Sequence, residues 1–400
     1  VVSAFGTWVG RIFFAADAPE ERRLPPAAKY GLILLLFVAT RLVTILGFEE
    51  RHVDWLGNDP GGYVATANYI AEHGYMPTED KIIYRQYAGI SLLMIVVNQF
   101  VGNMVFSGYI VVGVCGIAAM FLIQHLFNNL RLSLISVVFL PYWITTTSTI
   151  FSEAPTVLCF LIGLWGLRDC QHRPGLLVLA VIVAGYALVI RQNAGIFVMP
   201  FIFLMGWKYP GGSFLRACGL VALAGIPIAL YLTWNWLTIH QLFPQLKLHR
   251  ESLLGEIANS PPGRYSPTMF DVPFHGLIAG LTDPDERVGK RLSVLATVIV
   301  VFLALACLVR VIWREKLKPT GVLALAFAAA LIVHLGFLVS LGGNFGYKWL
   351  DRHLSQINPI IDWALFYPRP LRWLWIALMV VLGVLFAIST GVGGHVGFLK

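Results

Sequence analysis

The sequence is short of charge. Only 12% of its 400 residues are Asp, Glu, Lys or Arg, about half the share of an ordinary globular chain. That excludes a conventional water-soluble domain. Cysteine is also scarce. Cys115, Cys159, Cys170, Cys218 and Cys307 all lie in or at the ends of apolar runs, and no C-x-x-C pair occurs. A disulfide framework and a zinc site are therefore not indicated. There is no Walker motif and no G-x-G-x-x-G ahead of a helix. No Asn-x-Ser/Thr acceptor occurs, because Asn259-Ser260 is followed by Pro261. Internal repeats and low-complexity segments are missing. The apolar runs are continuous and lack the alternation of a transmembrane β-barrel.

What fills the chain is apolar. Hydrophobic residues make up 58% of it, with 26 Phe and 12 Trp, and the mean hydropathy is +0.74. Such a composition excludes disorder. At about 20 residues per spanning helix it accommodates on the order of ten spans. The expected fold is an all-α membrane protein, a polytopic bundle of about eleven transmembrane helices. Spans are expected near 30–48, 104–127, 133–148, 153–169, 175–190, 194–208, 215–237, 292–313, 320–341, 353–368 and 371–389. Residues 1–29 then form an interfacial helix and a charged cytoplasmic linker, 30–390 a single transmembrane domain, and 391–400 a tail. In the first of these, Phe5, Trp8, Val9 and Ile12 share one helical face.

The net charge of +8 reads as a topology signal, not as a nucleic-acid footprint. The short loops 128–132, 170–174, 209–214, 314–319 and 369–370 carry or are flanked by Lys and Arg, among them Arg131, Arg173, Lys208, Arg216, Lys316 and Arg369, and the positive-inside rule, scored on short loops, places them in the cytoplasm. Two long loops, 49–103 and 238–291, then lie on the non-cytoplasmic side and carry short interfacial helices. Most acidic residues fall on that side, including Asp54, Asp59 and Glu153.

The first long loop holds the clearest chemistry. Asp59 followed by Pro60 is a helix start, with Asp59 as the cap and Pro at the first helical position. Tyr63, Ala67, Ile70 and Ala71 follow at helical spacing, and Gly74 ends the helix. A carboxylate thus stands at the mouth of a short helix just outside the membrane. The plain alternative is a capping Asp on an ordinary loop helix. In the second long loop six prolines alternate with aromatics, the composition of a lid over a site. It offers His249 and Arg250 as sugar or phosphate contacts.

Several of these residues, in this order, resemble the GT-C superfamily of integral-membrane glycosyltransferases. They are Asp59 with Tyr63 four residues on, Ala71-x-x-Gly74-Tyr75, and Tyr84-Arg85 leading through Gly89 to Leu92-Leu93. Ser152-Glu153-Ala154-Pro155, Arg191-Gln192-Asn193-Ala194-Gly195, and Asp351-Arg352-His353 with Pro359 are similar to later motifs. The stretch Tyr69 to Tyr75 is similar to polyprenyl-phosphate-dependent mannosyltransferases, and the layout to the aminoarabinose transferase branch. Departures occur at Gln86 to Ile90, where relatives carry Pro-Pro-Gly-Tyr-Pro, and at His353, where they carry Tyr.

The resemblance implies transfer of a sugar from a polyprenyl-phosphate donor to an acceptor hydroxyl on a lipid, glycan or protein. The chain would be a multi-pass protein of a bacterial inner (plasma) membrane, surrounded by membrane lipids, with its site on the non-cytoplasmic face. Asp59 is the expected general base, with Asp54 and Glu153 as further catalytic carboxylates. Arg352, His353 and Lys348, with Arg85 and Arg191, are the expected donor-phosphate ligands. Tyr63 and Tyr84 are expected at the sugar. No cofactor is required, although a divalent cation between carboxylates stays open. The rival reading is a transporter or flippase for lipid-linked precursors, which predicts broken helices and paired repeats.

Two charges fall inside expected spans, Arg41 and Asp362, and each needs a partner there. Their pairing with one another is the simplest expectation. His334, also within a span, reads as a satisfied core residue.

Overall fold

A computed structural model describes residues 24–47, 59–78, 88–138, 146–244, 288–340 and 356–366. Among the described residues the chain forms thirteen α-helices and no strand. They are α1 (Pro26–Gly47), α2 (Asp59–His73), α3 (Gly89–Val101), α4 (Met104–Phe127), α5 (Leu130–Val138), α6 (Glu153–Asp169), α7 (Pro174–Ile190), α8 (Ala194–Lys208), α9 (Phe214–Ala224), α10 (Ile226–Ile239), α11 (Val288–Glu315), α12 (Pro319–Ser340) and α13 (Asn358–Phe366).

Among the described residues three stretches are long and apolar enough to cross a membrane: Met104–Phe127, Phe214–Ile239 and Pro319–Gly336. Around them pack shorter apolar helices such as α3, α7 and α8. The central element is the α6–α7 hairpin, with α4 and α8 against α6, and α9 and α10 against α7. On the other flank α12 packs on α8 and α11, while α13 lies against α11 and α5.

Small residues set how closely the helices approach. A Cβ on Gly163 would sit 2.6 Å from Ala184 Cβ, and one on Gly166 2.3 Å from Ala180 Cβ. Gly163 and Gly166 on α6 thus face Ala180 and Ala184 on α7, the small-residue seam by which helices associate in a membrane. Gly185 meets the backbone of Ala224 in the same way. Aromatic side chains fill the wider gap beyond, where Phe160, Phe197, Phe201, Phe327 and Trp363 form one connected cluster.

Several helices differ from the expected spans. Of the expected 133–148 span, the nine-residue α5 covers the start and 146–148 are helical, leading into a turn at 149–150, while the residues between lie outside the description. That segment carries the hydroxyl residues Thr146 to Thr149, all buried. The 215–237 span is divided at Gly225 into α9 and α10, since Pro227 has no N–H to continue the ladder. Loop 49–103 contains α2 and also α3, an apolar helix docked in the bundle: Gly89 lies against the backbone of Val189 and Ile190. The expected N-terminal interfacial helix, the last span and almost all of loop 238–291 fall outside the described residues.

Arg41 and Asp362 do not pair. Arg41 Nε donates to Thr147 Oγ1 at 2.8 Å and Nη1 to Thr40 Oγ1 at 2.7 Å, while its guanidinium lies 3.9 Å from the Phe37 ring centroid. Asp362 Oδ2 instead accepts from Ser136 at 2.5 Å. Each buried charge is therefore held by hydroxyls supplied from a neighbouring segment.

Candidate functional site

The polar residues of the bundle concentrate at one end. There α6 begins, α7 stops and the Thr146–Thr149 turn inserts. Thr146, Thr147, Ser148, Thr149, Ser152, Glu153 and Thr156 are all buried. The local sequence explains the geometry. The N–H of Phe151 donates to Thr149 O, tightening the turn. Thr156 Oγ1 donates back to Ser152 O at 2.7 Å, closing the first turn of α6. The Ser152 side chain makes no capping bond, which leaves it to accept from Arg191.

Arg191 is the hub. It follows the last residue of α7 in extended conformation (φ −149°), so its side chain crosses to the start of α6. Nη1 donates to Glu153 Oε1 at 2.5 Å and to Ser152 Oγ at 3.0 Å, and Nε donates to Asn193 Oδ1 at 3.1 Å. Glu153 is fully buried and the Arg191 side chain is 5% exposed. Arg41, through Thr147, flanks the same turn from α1. Two arginines and a carboxylate thus surround one hydroxyl-rich segment. A low-dielectric setting makes such a group strongly directional toward any polar ligand it meets.

Asp59, half-buried, is the first residue of α2. That helix buries Tyr63, Thr66, Ala67 and Ile70. Ser91 of α3 donates to Tyr63 O at 2.9 Å, and Gly89 of α3 touches Ile190, the residue before Arg191. A short chain of contacts therefore runs from the start of α2 to the Arg191–Glu153 pair. Tyr63 is 1% exposed and packs within the main core, so its ring anchors α2. His334 of α12 reaches the same end, edge-on to Phe197 with ring centroids 5.3 Å apart.

Of the residues expected at the site, Glu153 and Arg191 are brought together, and Asp59 and Tyr63 lie on the docked helix α2. Asp54, Tyr84, Arg85, His249, Arg250, Lys348, Arg352 and His353 lie outside the described residues. The sequence reading passed over Ser152's bond to Arg191, Asn193 and the Thr146–Thr149 turn. A polar run of this kind inside an apolar stretch, Ile144 to Ile150, is the signal that could have marked it. Among the described residues no group of three or more His, Cys, Asp or Glu side chains could hold a metal ion.

No protein-family model, curated protein or solved structure matches this chain.

Proposed function

We propose that this protein is a membrane glycosyltransferase of GT-C type, moving a sugar from a polyprenyl-phosphate donor to an acceptor hydroxyl at the non-cytoplasmic face. The observation that carries the reading is the buried Glu153–Arg191 pair in a hydroxyl-lined turn. It lies at the end of the bundle to which the Asp59 helix is linked. An apolar bundle has no structural need for so much polarity at one end, whereas a phosphate-and-sugar substrate does.

In this scheme the acceptor oxygen attacks the anomeric carbon as the carbon–oxygen bond to the donor phosphate breaks. The carbon inverts, and polyprenyl phosphate leaves with the bonding pair. Asp59 takes the acceptor's proton. Arg352, His353 and Lys348, with Arg85, stabilise the charge that grows on the phosphate. Arg191 holds Glu153 in place, and Glu153 orients the acceptor or the sugar. Asp54 is the second candidate base. Tyr84, His249 and Arg250 close around the sugar, and Tyr63 holds α2 in place.

The test is sugar transfer in proteoliposomes with a panel of labelled polyprenyl-phosphate sugars and an acceptor extract. Wild type transfers from one donor, and Asp59→Asn protein of unchanged gel-filtration profile does not. Transport of a lipid-linked precursor with no transfer from any donor would establish the rival reading.

A further inference from the structure

The opposite end of the bundle holds a cleft of about 360 Å³, within the range of small-molecule sites, roughly 300–1,000 Å³. The 17 residues of α6 separate it from Glu153 by about 25 Å at helical rise. The cleft therefore belongs to the other membrane boundary, and it owes nothing to the site proposed above. Helix ends form it: Phe127 closes α4, Arg168 and Asp169 close α6, Tyr209 follows α8, Thr320 opens α12, and Trp363 projects from α13. Leucines complete an apolar floor.

The lining is chemically two-sided. Arg168 Nε donates to Asp169 Oδ1 at 2.6 Å and Nη2 to Oδ2 at 2.7 Å, and Nη1 donates to Leu126 O. The forked pair is only partly screened from solvent, with side chains 23% and 32% exposed. Both carboxylate oxygens keep lone pairs for further donors. Trp363, 3% exposed, packs against Phe127 with ring centroids 6.4 Å apart, and the two rings extend the apolar floor. Burial raises the Tyr209 phenol above its ordinary range, so at neutral pH it is a hydrogen-bond donor and acceptor. The Thr320 hydroxyl and the edge of Arg168 supply the complementary donors. Because Arg168 and Asp169 cancel, a ligand of net charge would meet no compensating charge here, while a zwitterion would have both its ends matched.

We propose that this cleft binds the headgroup of an amine-bearing zwitterionic phospholipid, with its ammonium at Asp169 and its phosphate at Arg168 and Thr320. A membrane boundary supplies such a headgroup at high local concentration, with the apolar floor beneath its glycerol.

The full-length protein in detergent, stripped of lipid, is mixed with equal amounts of phosphatidylethanolamine, phosphatidylcholine and phosphatidylglycerol, and retained lipid is read by native mass spectrometry. Soluble phosphoethanolamine forms a separate arm. Phosphatidylethanolamine is expected to be retained about tenfold over the other two lipids, because its primary ammonium alone can donate hydrogen bonds to the Asp169 carboxylate, and Asp169→Asn to remove that preference. Phosphoethanolamine binding as tight as the lipid's would overturn the lipid assignment in favour of a soluble ligand. Retention of phosphatidylcholine equal to phosphatidylethanolamine would overturn the role of Asp169, and preference for phosphatidylglycerol would make the cleft an anion site. Equal retention of all three would remove the site. If Asp169→Asn does not fold, the wild-type lipid series decides the amine side, and Thr320→Val is expected to weaken retention of phosphatidylethanolamine and phosphatidylcholine alike, unchanged retention of both overturning the phosphate placement.

Discussion

Arg191 reaches from the end of one helix to the start of another and places an N–H 2.5 Å from Glu153 Oε1, with both side chains withdrawn from solvent. These residues are 38 positions apart in the chain. The α6–α7 hairpin brings them together, because its short connection at the far end returns α7 alongside α6. The pair thus clamps the open end of the hairpin beside the buried Thr146–Thr149 segment.

Removing one partner leaves a buried charge without its counterion. Arg191→Ala or Glu153→Ala is expected to lower stability by about 3–5 kcal/mol. The combined Glu153→Leu and Arg191→Met variant is expected to recover most of that loss, since neither charge remains to be satisfied. Denaturant or thermal unfolding in detergent measures both. A double variant as unstable as the single ones would mean that the loss comes from packing and not from charge.

Asp59→Asn keeps the size of the residue that opens α2 and removes its basicity. Transfer is expected to fall by about 10²–10⁴-fold, the usual contribution of a general base, with the melting temperature unchanged. Asp54→Asn, measured beside it, distinguishes the two carboxylates: whichever variant collapses the rate carries the proton.

The hydroxyl partners of the two deep charges make a further expectation. Exchanging them as Arg41→Asp with Asp362→Arg will not restore the expression lost in either single variant. Thr147→Val will weaken the protein in the same direction as Arg41→Met, because each removes one end of the 2.8 Å bond. Membrane expression levels decide this, and recovery in the double charge exchange would restore the direct pair.

Helix approach is testable through two glycines. A Cβ at Gly185 would lie 1.9 Å from Ala224 O, whereas nothing lies within 4 Å of one at Gly113. Gly185→Val is expected to cost about 1–3 kcal/mol or more by overpacking, and Gly113→Ala to be silent. Comparable melting temperatures for the two variants would show that α7 and α9 are not in close contact.

Much of the helix pattern was legible along the chain. The limits of α4, α6 and α8 agree with the expected spans, because caps and breakers mark them locally: Asn103 accepts from Phe106 N at the start of α4, and Lys208 ends α8 before Tyr209 and Pro210. Of the 133–148 span, both described ends, α5 and 146–148, are helical, and its middle lies outside the described residues. The α3 helix was taken as part of a loop, since its 13 residues are too few to cross a bilayer alone. Glu153 and Arg191 were each singled out, but for separate tasks, as a carboxylate and as a phosphate ligand.

Composition and periodicity by themselves determined that this chain is helical and apolar, and which segments could enter a membrane. Those are properties of single segments, fixed by local backbone preferences and the cost of burying polar groups. Which polar groups meet was decided only by tertiary structure. Arg41 took Thr147 in place of Asp362, and Arg191 took Glu153, because partner choice depends on which helix ends come level when small residues such as Gly163, Gly166 and Gly185 let the helices close. That register is a property of several packed surfaces at once, and no single segment encodes it.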